Sequence, residues 1–279
     1  MDLEYSYREL FSLCDKAKLG SVKKSIFTLY ENDLAKQWNP DLNSEWVCRH
    51  YLASKMILNA TVILNALNFS EENGMRLATP YFEYYAALSL TRAVAYTLPD
   101  KKWNNGELIT ISHKDAINSA FDWLKRFNSP MAESLKSVTL KLKAQRELIS
   151  YRIPSTGDQN ISREHDLEQL LTILAEVAQF NSELLKKAIT MHADPKTFIV
   201  NDGDIANLVL VSIDDHEFPD QYDYYRLDYL KRKMPYPTSL HYTMTEGMTE
   251  DFIGSWDGEE GTSFSNGGPG NWQSIFDIP

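Results

Sequence analysis

The chain has 279 residues, and 43% are hydrophobic, which supplies a buried core and excludes a globally disordered chain. Its net charge of -11 is concentrated: residues 201–279 hold 15 acidic residues against 4 basic ones, and 8 of the 12 glycines, so the front of the chain is balanced. Two cysteines, Cys14 and Cys48, exclude a disulfide framework or a cysteine metal centre, and they suit a reducing, cytoplasmic setting.

The stretch Met1 to Leu10 is polar and acidic, unlike a signal peptide. No apolar run approaches the roughly 20 residues of a membrane span, so the chain reads as soluble with no membrane partner. Two short helices are expected at Tyr5 to Asp15 and Val22 to Gln37, broken by Gly20 and ended by Asn39-Pro40. Lys16, Lys18, Lys23 and Lys24 form a small basic cluster, read as a solvated helix face or as a phosphate-contacting patch.

A long helix follows from Ser44 to Leu67. Trp46, His50, Ala53, Ile57, Ala60, Leu64 and Leu67 step by three and four residues, which draws one apolar seam. His50 on that seam reads as a satisfied core histidine. Thr79-Pro80 opens the next helix, with the threonine as cap and proline at the first position. From Tyr81 to Tyr96 that helix is apolar nearly all round, so it belongs in the middle of a bundle. Ser112 caps a helix carrying Ala116, Ala120, Trp123, Leu124 and Phe127 inward, with Asp115 at the capping-box position. Ser129-Pro130 opens another, which buries Leu135, Val138, Leu142 and Ile149 and ends at Tyr151-Arg152-Ile153-Pro154. Ser162 caps the last long helix, where Leu167 to Ala188 keep a 3.6-residue period.

Beyond Asp194-Pro195 the composition shifts. Ala206 to Ile213 is rich in β-branched residues and reads as one strand. Tyr222 to Lys233 reads as a helix or an extended arm, and from Met234 onward only irregular chain is expected, flexible over 254–271. The pattern predicts an all-α protein. An antiparallel four- to five-helix bundle spans 44–194, behind an N-terminal helical extension (1–43) and ahead of an irregular, acidic C-terminal region (195–279).

Four ordered pieces carry a family resemblance. The segment Tyr81-Phe-Glu-Tyr-Tyr-Ala-Ala-Leu-Ser-Leu-Thr-Arg-Ala93 resembles the second helix of HEPN domains. Ser112-His113-Lys114 is similar to the family's His-Lys opening of the third helix. Gln145-Arg146-Glu-Leu-Ile-Ser150-Tyr151-Arg152 resembles its Arg-x-x-x-Asp-Tyr stretch, with serine where aspartate is common. A long amphipathic helix closes the set, and the resemblance covers about residues 44–192. It implies a helical bundle, often dimeric, found in prokaryotic toxin–antitoxin, antiviral defence and RNA-processing systems. Many members are metal-independent ribonucleases, and others are binding or dimerisation modules.

The catalytic members carry an arginine, then four to six residues, then a histidine. Arginine grips phosphate through its fixed donor fork, and histidine moves protons near neutral pH. None of the six histidines here has an arginine at that spacing upstream; Asn43, Ser44 and Glu45 precede His50, and Gly106, Glu107 and Leu108 precede His113. Arg146, Tyr151 and Arg92 are therefore the candidates for any remaining catalysis, although a tyrosine pKa of about 10 makes a poor base. Arg146, Arg152 and His113 are the candidates for holding RNA or a nucleotide by its phosphate, the last beside a helix N-terminus. The bland readings are ion pairing with groups such as Glu147 for Arg146 and Arg152, an interhelical partner for Arg92, and incidental exposure for His113.

No cofactor and no metal are expected: His165 and Asp166, with Glu164 and Glu168, read as charges favoured at a helix start. The tail mixes its acidic residues with 12 aromatics. Tyr224, Tyr225, Phe252, Trp256, Trp272 and Phe276 read as anchors for a partner, or as a cover for a basic groove. Three readings stay open. One is a non-catalytic HEPN-like module, homodimeric or part of a complex. The others are a ribonuclease-type toxin with a non-standard site, and a helical protein of unrelated function.

Overall fold

The computed structural model describes residues 3–159, 161 and 167–256. Helices α1 (Arg8–Ser12) and α2 (Lys16–Asp33) come first, and α3 (Pro40–Glu72) and α4 (Thr79–Tyr96) follow. Next are α5 (His113–Leu124), α6 (Ser129–Tyr151), α7 (Leu167–His192) and α8 (Asp202–Val209). A hairpin of β1 (Leu210–Ile213) and β2 (His216–Pro219) leads to α9 (Gln221–Lys233), α10 (Leu240–Thr243) and α11 (Glu246–Gly254). The class is all-α. The hairpin, with Leu210 opposite Pro219, is the only sheet among the described residues.

The α4 helix is the hub, packed by α3, α5, α6 and α7. Its all-round apolar sequence explains that position, and Tyr84, Ala86, Ala87, Leu90 and Val94 are each fully buried. Every residue of the expected α3 seam is buried. By length and hydropathy α3 alone among the described helices could cross a membrane. Its faces are instead covered by α4, α7 and α8 and by α10 and α11, so the apolar surface goes into packing.

Several boundaries differ from expectation. Gly20 lies inside α2, exposed and with open space around it; Asp15 starts that helix by accepting from Lys18 N–H (2.8 Å). A lone exposed glycine costs only about 1 kcal/mol, less than the packing of α2 on α7 returns. Asn39 caps α3, accepting from Leu42 N–H (3.0 Å), so the helix starts at Pro40 and not at Ser44. Thr79 is the first residue of α4 and not its cap, and its buried hydroxyl has no partner. Ser112 caps α5 as expected, whereas Asn128, not Ser129, caps α6.

The C-terminal region is corrected most. Residues 202–209 form a helix and only Leu210–Ile213 form a strand. Irregular chain was expected after Met234, yet α10 and α11 lie there. Ile205, Leu208, Leu227, Leu230, Leu240 and Phe252 join the same core cluster as the bundle. Polar ties reinforce the join. His50 Nδ1 meets the Thr238 carbonyl (2.6 Å), Asn43 donates to the Ile199 and Pro235 carbonyls, and the Tyr51 hydroxyl donates to Asp223 (2.6 Å). The expected cap at Ser162, the charges at Glu164, His165 and Asp166, and positions 257–279 of the tail lie outside the described residues.

The N-terminus is fastened by two buried carboxylates of α7. Glu176 accepts the backbone N–H groups of Arg8 (3.0 Å) and Leu10 (2.6 Å), and Glu183 those of Glu4 (3.1 Å) and Tyr5 (2.9 Å). Burial raises both carboxyl pKa values, against the pull of those N–H groups and, at Glu183, of Lys187. Replacing Glu176 leaves two helix-start donors unmet. Glu176→Ala is therefore expected to speed amide exchange of residues 8–12 by about tenfold or more, with the α4 amides unaffected. Unchanged exchange in α1 would refute the fastening role.

Candidate functional site

The hub helix also organises the polar centre of the molecule. Arg92 and the Tyr84–Tyr85 pair stand on α4, His113 opens α5, and Arg146 is near the end of α6. The sequence separates these residues by two loops, and α4 gathers them by packing against both α5 and α6.

The Arg146 guanidinium lies 5.2 Å from the Tyr84 ring centroid and 6.0 Å from that of Tyr85. Such cation–π contacts hold the fork without neutralising it. Its nearest carboxylate among the described residues is Glu147, at a long 3.9 Å. Burial works against the Arg146 charge, but Tyr85, Tyr84 and Glu147, with a hydrogen bond donated to Tyr151, outweigh it and raise its pKa. Arg92 makes no ion pair among the described residues, and the buried Nε atoms of Arg92 and Arg146 are both without an acceptor. Among the described residues, none supplies the interhelical carboxylate expected for Arg92.

His113 lies near enough to both cations to feel their charge. Its Nδ1 is 2.9 Å from the Tyr84 hydroxyl, and its ring is 6.4 Å from that of Tyr85 at 89°. Burial lowers its pKa first, and Arg92, Arg146 and Lys143 lower it further, so the imidazole is neutral at pH 7. Where the Tyr84 hydroxyl donates to His113 Nδ1, the imidazole proton stands on Nε2. Burial raises the Tyr84 pKa, with Arg146 opposing, so Tyr84 stays a donor. In this state His113 offers an N–H, like its two arginine neighbours, and the cluster can grip an oxyanion.

The remaining sequence candidates divide. Tyr151 and Arg152 are exposed at the end of α6, with Tyr151 tied to Arg146. Tyr224, Tyr225 and Trp256 are exposed, as partner anchors would be. Phe252 is not: at 7% exposure it packs into the core beside Arg226, which corrects its reading as an anchor. Trp272 and Phe276 lie outside the described residues. Tyr84 was not singled out from sequence, because a tyrosine on an all-apolar helix gives no sign that its hydroxyl orients a histidine 29 residues away.

Two openings flank the cluster. A cavity of about 420 Å³ between α3, α4, α9 and α11 is bordered by Arg92 and Tyr85. A shallower groove of about 910 Å³ runs past Met75, Leu77, Phe82, Ile149 and Ile153, with the Arg76–Asp158 ion pair beside it. Compared with protein-family models, curated proteins and solved structures, the chain finds no significant match.

Proposed function

We propose that the chain is a HEPN-like binding module that holds the phosphate backbone of RNA at Arg92, His113 and Arg146. The observation that carries this reading is that α4 gathers Arg92, Arg146 and His113, with Arg146 over the Tyr84 ring, the Tyr84 hydroxyl 2.9 Å from His113 Nδ1, and both arginines lowering the His113 pKa. Such a set recognises an oxyanion with no proton transfer. The sequence resemblance supports the HEPN label and, with it, a homodimeric or complex-bound setting in a defence or toxin–antitoxin type system. The overall charge of -11 opposes non-specific binding, so affinity must come from this local cluster.

Fluorescence anisotropy with a labelled single-stranded RNA tests the reading. Arg146→Ala is expected to weaken binding about 10- to 100-fold, the loss of one charge-assisted contact. Each phosphate contact on a single strand adds about 0.7 to the slope of log affinity against log salt, so that slope should fall by about 0.7. Equal binding by a folded Arg146→Ala variant would refute it. RNA cleavage that disappears with His113→Ala would replace it with the ribonuclease reading.

A further inference from the structure

The groove of about 910 Å³ is built from two segments. One is the turn after α3, with Met75 and Leu77, and the other is the end of α6 and the chain beyond it, with Ile149 and Ile153. Tyr81 and Phe82, from the first turn of α4, line it as well. The Arg76–Asp158 ion pair ties the two segments together. Met75 is 53% exposed, Leu77 57% and Ile153 64%. Apolar side chains scattered singly over a surface need no explanation, but gathered in one concave place they mark a docking site.

Ile153 is held in the groove at a cost. Its φ of 36° lies in the left-handed region, where a β-branched residue is a genuine outlier. The position follows the C-cap of α6, where glycine is usual, and its N–H donates to the Leu148 carbonyl (3.1 Å). Glycine would serve that backbone better, so the isoleucine is there for its side chain.

The chain itself points to what fills the groove. The described residues stop at Trp256, which borders the neighbouring cavity together with Tyr85. Tyr85 and Tyr81 are one turn apart on α4, about 6 Å along its axis, so the described chain stops close to the groove. Residues 257–271 include five glycines and can span up to about 50 Å. Trp272, Ile275 and Phe276 then stand at the i, i+3, i+4 spacing of anchors that enter an apolar groove. The charges agree. Residues 257–279 hold four acidic residues and no basic one, whereas residues 141–152, the last turns of α6, hold Lys141, Lys143, Arg146 and Arg152 against Glu147 alone.

We propose that residues 272–278 dock in this groove of their own chain, with Trp272, Ile275 and Phe276 against Met75, Leu77 and Ile153. This contact is separate from the RNA contact above and does not rest on it.

The test uses the full chain with Phe276→p-benzoylphenylalanine, irradiated at low micromolar concentration and mapped by mass spectrometry. Crosslinks within one chain to residues 75–82 and 149–154 are expected. Ile153→Gly removes the side chain and relieves the backbone, so it should not lower the melting temperature. It should lower those crosslinks at least about fivefold, the loss of one buried aliphatic contact. Without the photoprobe, Trp272→Ala combined with Phe276→Ala should speed amide exchange of Phe82 and Ile153 about fivefold and leave the middle of α7 unaffected. Crosslinks only between chains would overturn the proposal and give the groove to a second copy. Crosslinks only to other segments, or none, would overturn it and leave the groove to a separate partner. Crosslinking unaffected by Ile153→Gly, or exchange unchanged in the double variant, would overturn it equally.

Discussion

Arg49→Met is expected to destabilise the fold by about 3–5 kcal/mol, the range for breaking a buried ion pair from one side. Arg49 is 1% exposed on α3 and turns all three of its nitrogens to the end of α4. Nε donates to the Tyr96 carbonyl (2.8 Å), Nη2 to that of Leu98 (2.5 Å), and Nη1 to that of Lys101 (2.9 Å) and to Glu45 (2.9 Å). The last carbonyls of a helix lack intrahelical donors and carry the negative end of its dipole, so a cation there answers both needs. The same turn takes the Tyr30 hydroxyl on the Thr97 carbonyl (2.6 Å) and Asn181 on the Thr97 hydroxyl (3.1 Å). Helices α2, α3 and α7 are thus tied to one point on the hub. Methionine keeps the apolar stem but loses the guanidinium that lies 3.8 Å from the Trp46 ring centroid, and it leaves three carbonyls and Glu45 unmet. A chain of this size should lose about 10 °C in melting temperature, and urea denaturation would give the free energy directly. Arg49→Lys, with the charge but not the fork, should fall between. A loss below about 1 kcal/mol for Arg49→Met would mean that water replaces these bonds.

That node marks where the sequence stops being informative. The seam of α3 and the all-round apolar α4 follow from spacing alone, because burial imposes a period on residues within one helix. Arg49 shows only its i,i+4 spacing to Glu45: its other acceptors are carbonyls, which every residue has, supplied by a turn 47–52 positions away. The site shows the same divide. Arg92, His113 and Arg146 are each visible as chemistry, but a search for arginine and histidine at fixed spacing cannot find a set assembled from three helices. The C-terminal region misleads for another reason. Ala206 to Ile213 is short and β-branched, a pattern shared by strands and buried helix ends, and tertiary packing on α3 decides it. In α9 the charged residues hide the few positions, Leu227 and Leu230, that reach the core.

Acid should loosen the molecule through His50. Its ring is 1% exposed on α3, with Nδ1 bonded to the Thr238 carbonyl and Nε2 without a partner among the described residues. A proton on Nε2 would therefore be a buried charge with no acceptor. Burial lowers the His50 pKa to about 4, with nearby Arg49 acting the same way and the Thr238 carbonyl opposing. The folded pKa lies below the unfolded value of about 6.5, so between these limits the unfolded chain binds more protons and stability rises with pH. From pH 7 to pH 5 this one group should cost about 2 kcal/mol. His113 and His241 are also lowered, chiefly by burial, and act in the same sense. Glu176 and Glu183, whose pKa values burial raises, act in the opposite sense, from the ordinary carboxylate pKa up through their raised values. The histidine effect should therefore stand clearest above those raised values. Urea midpoints at several pH values would measure it, and His50→Gln should flatten the profile whatever its effect on stability at pH 7. Since His50 ties residues 234–243 to α3, amide exchange in α10 should quicken on acidification before that in α4 does. An unchanged pH profile in the variant would place the acid sensitivity elsewhere.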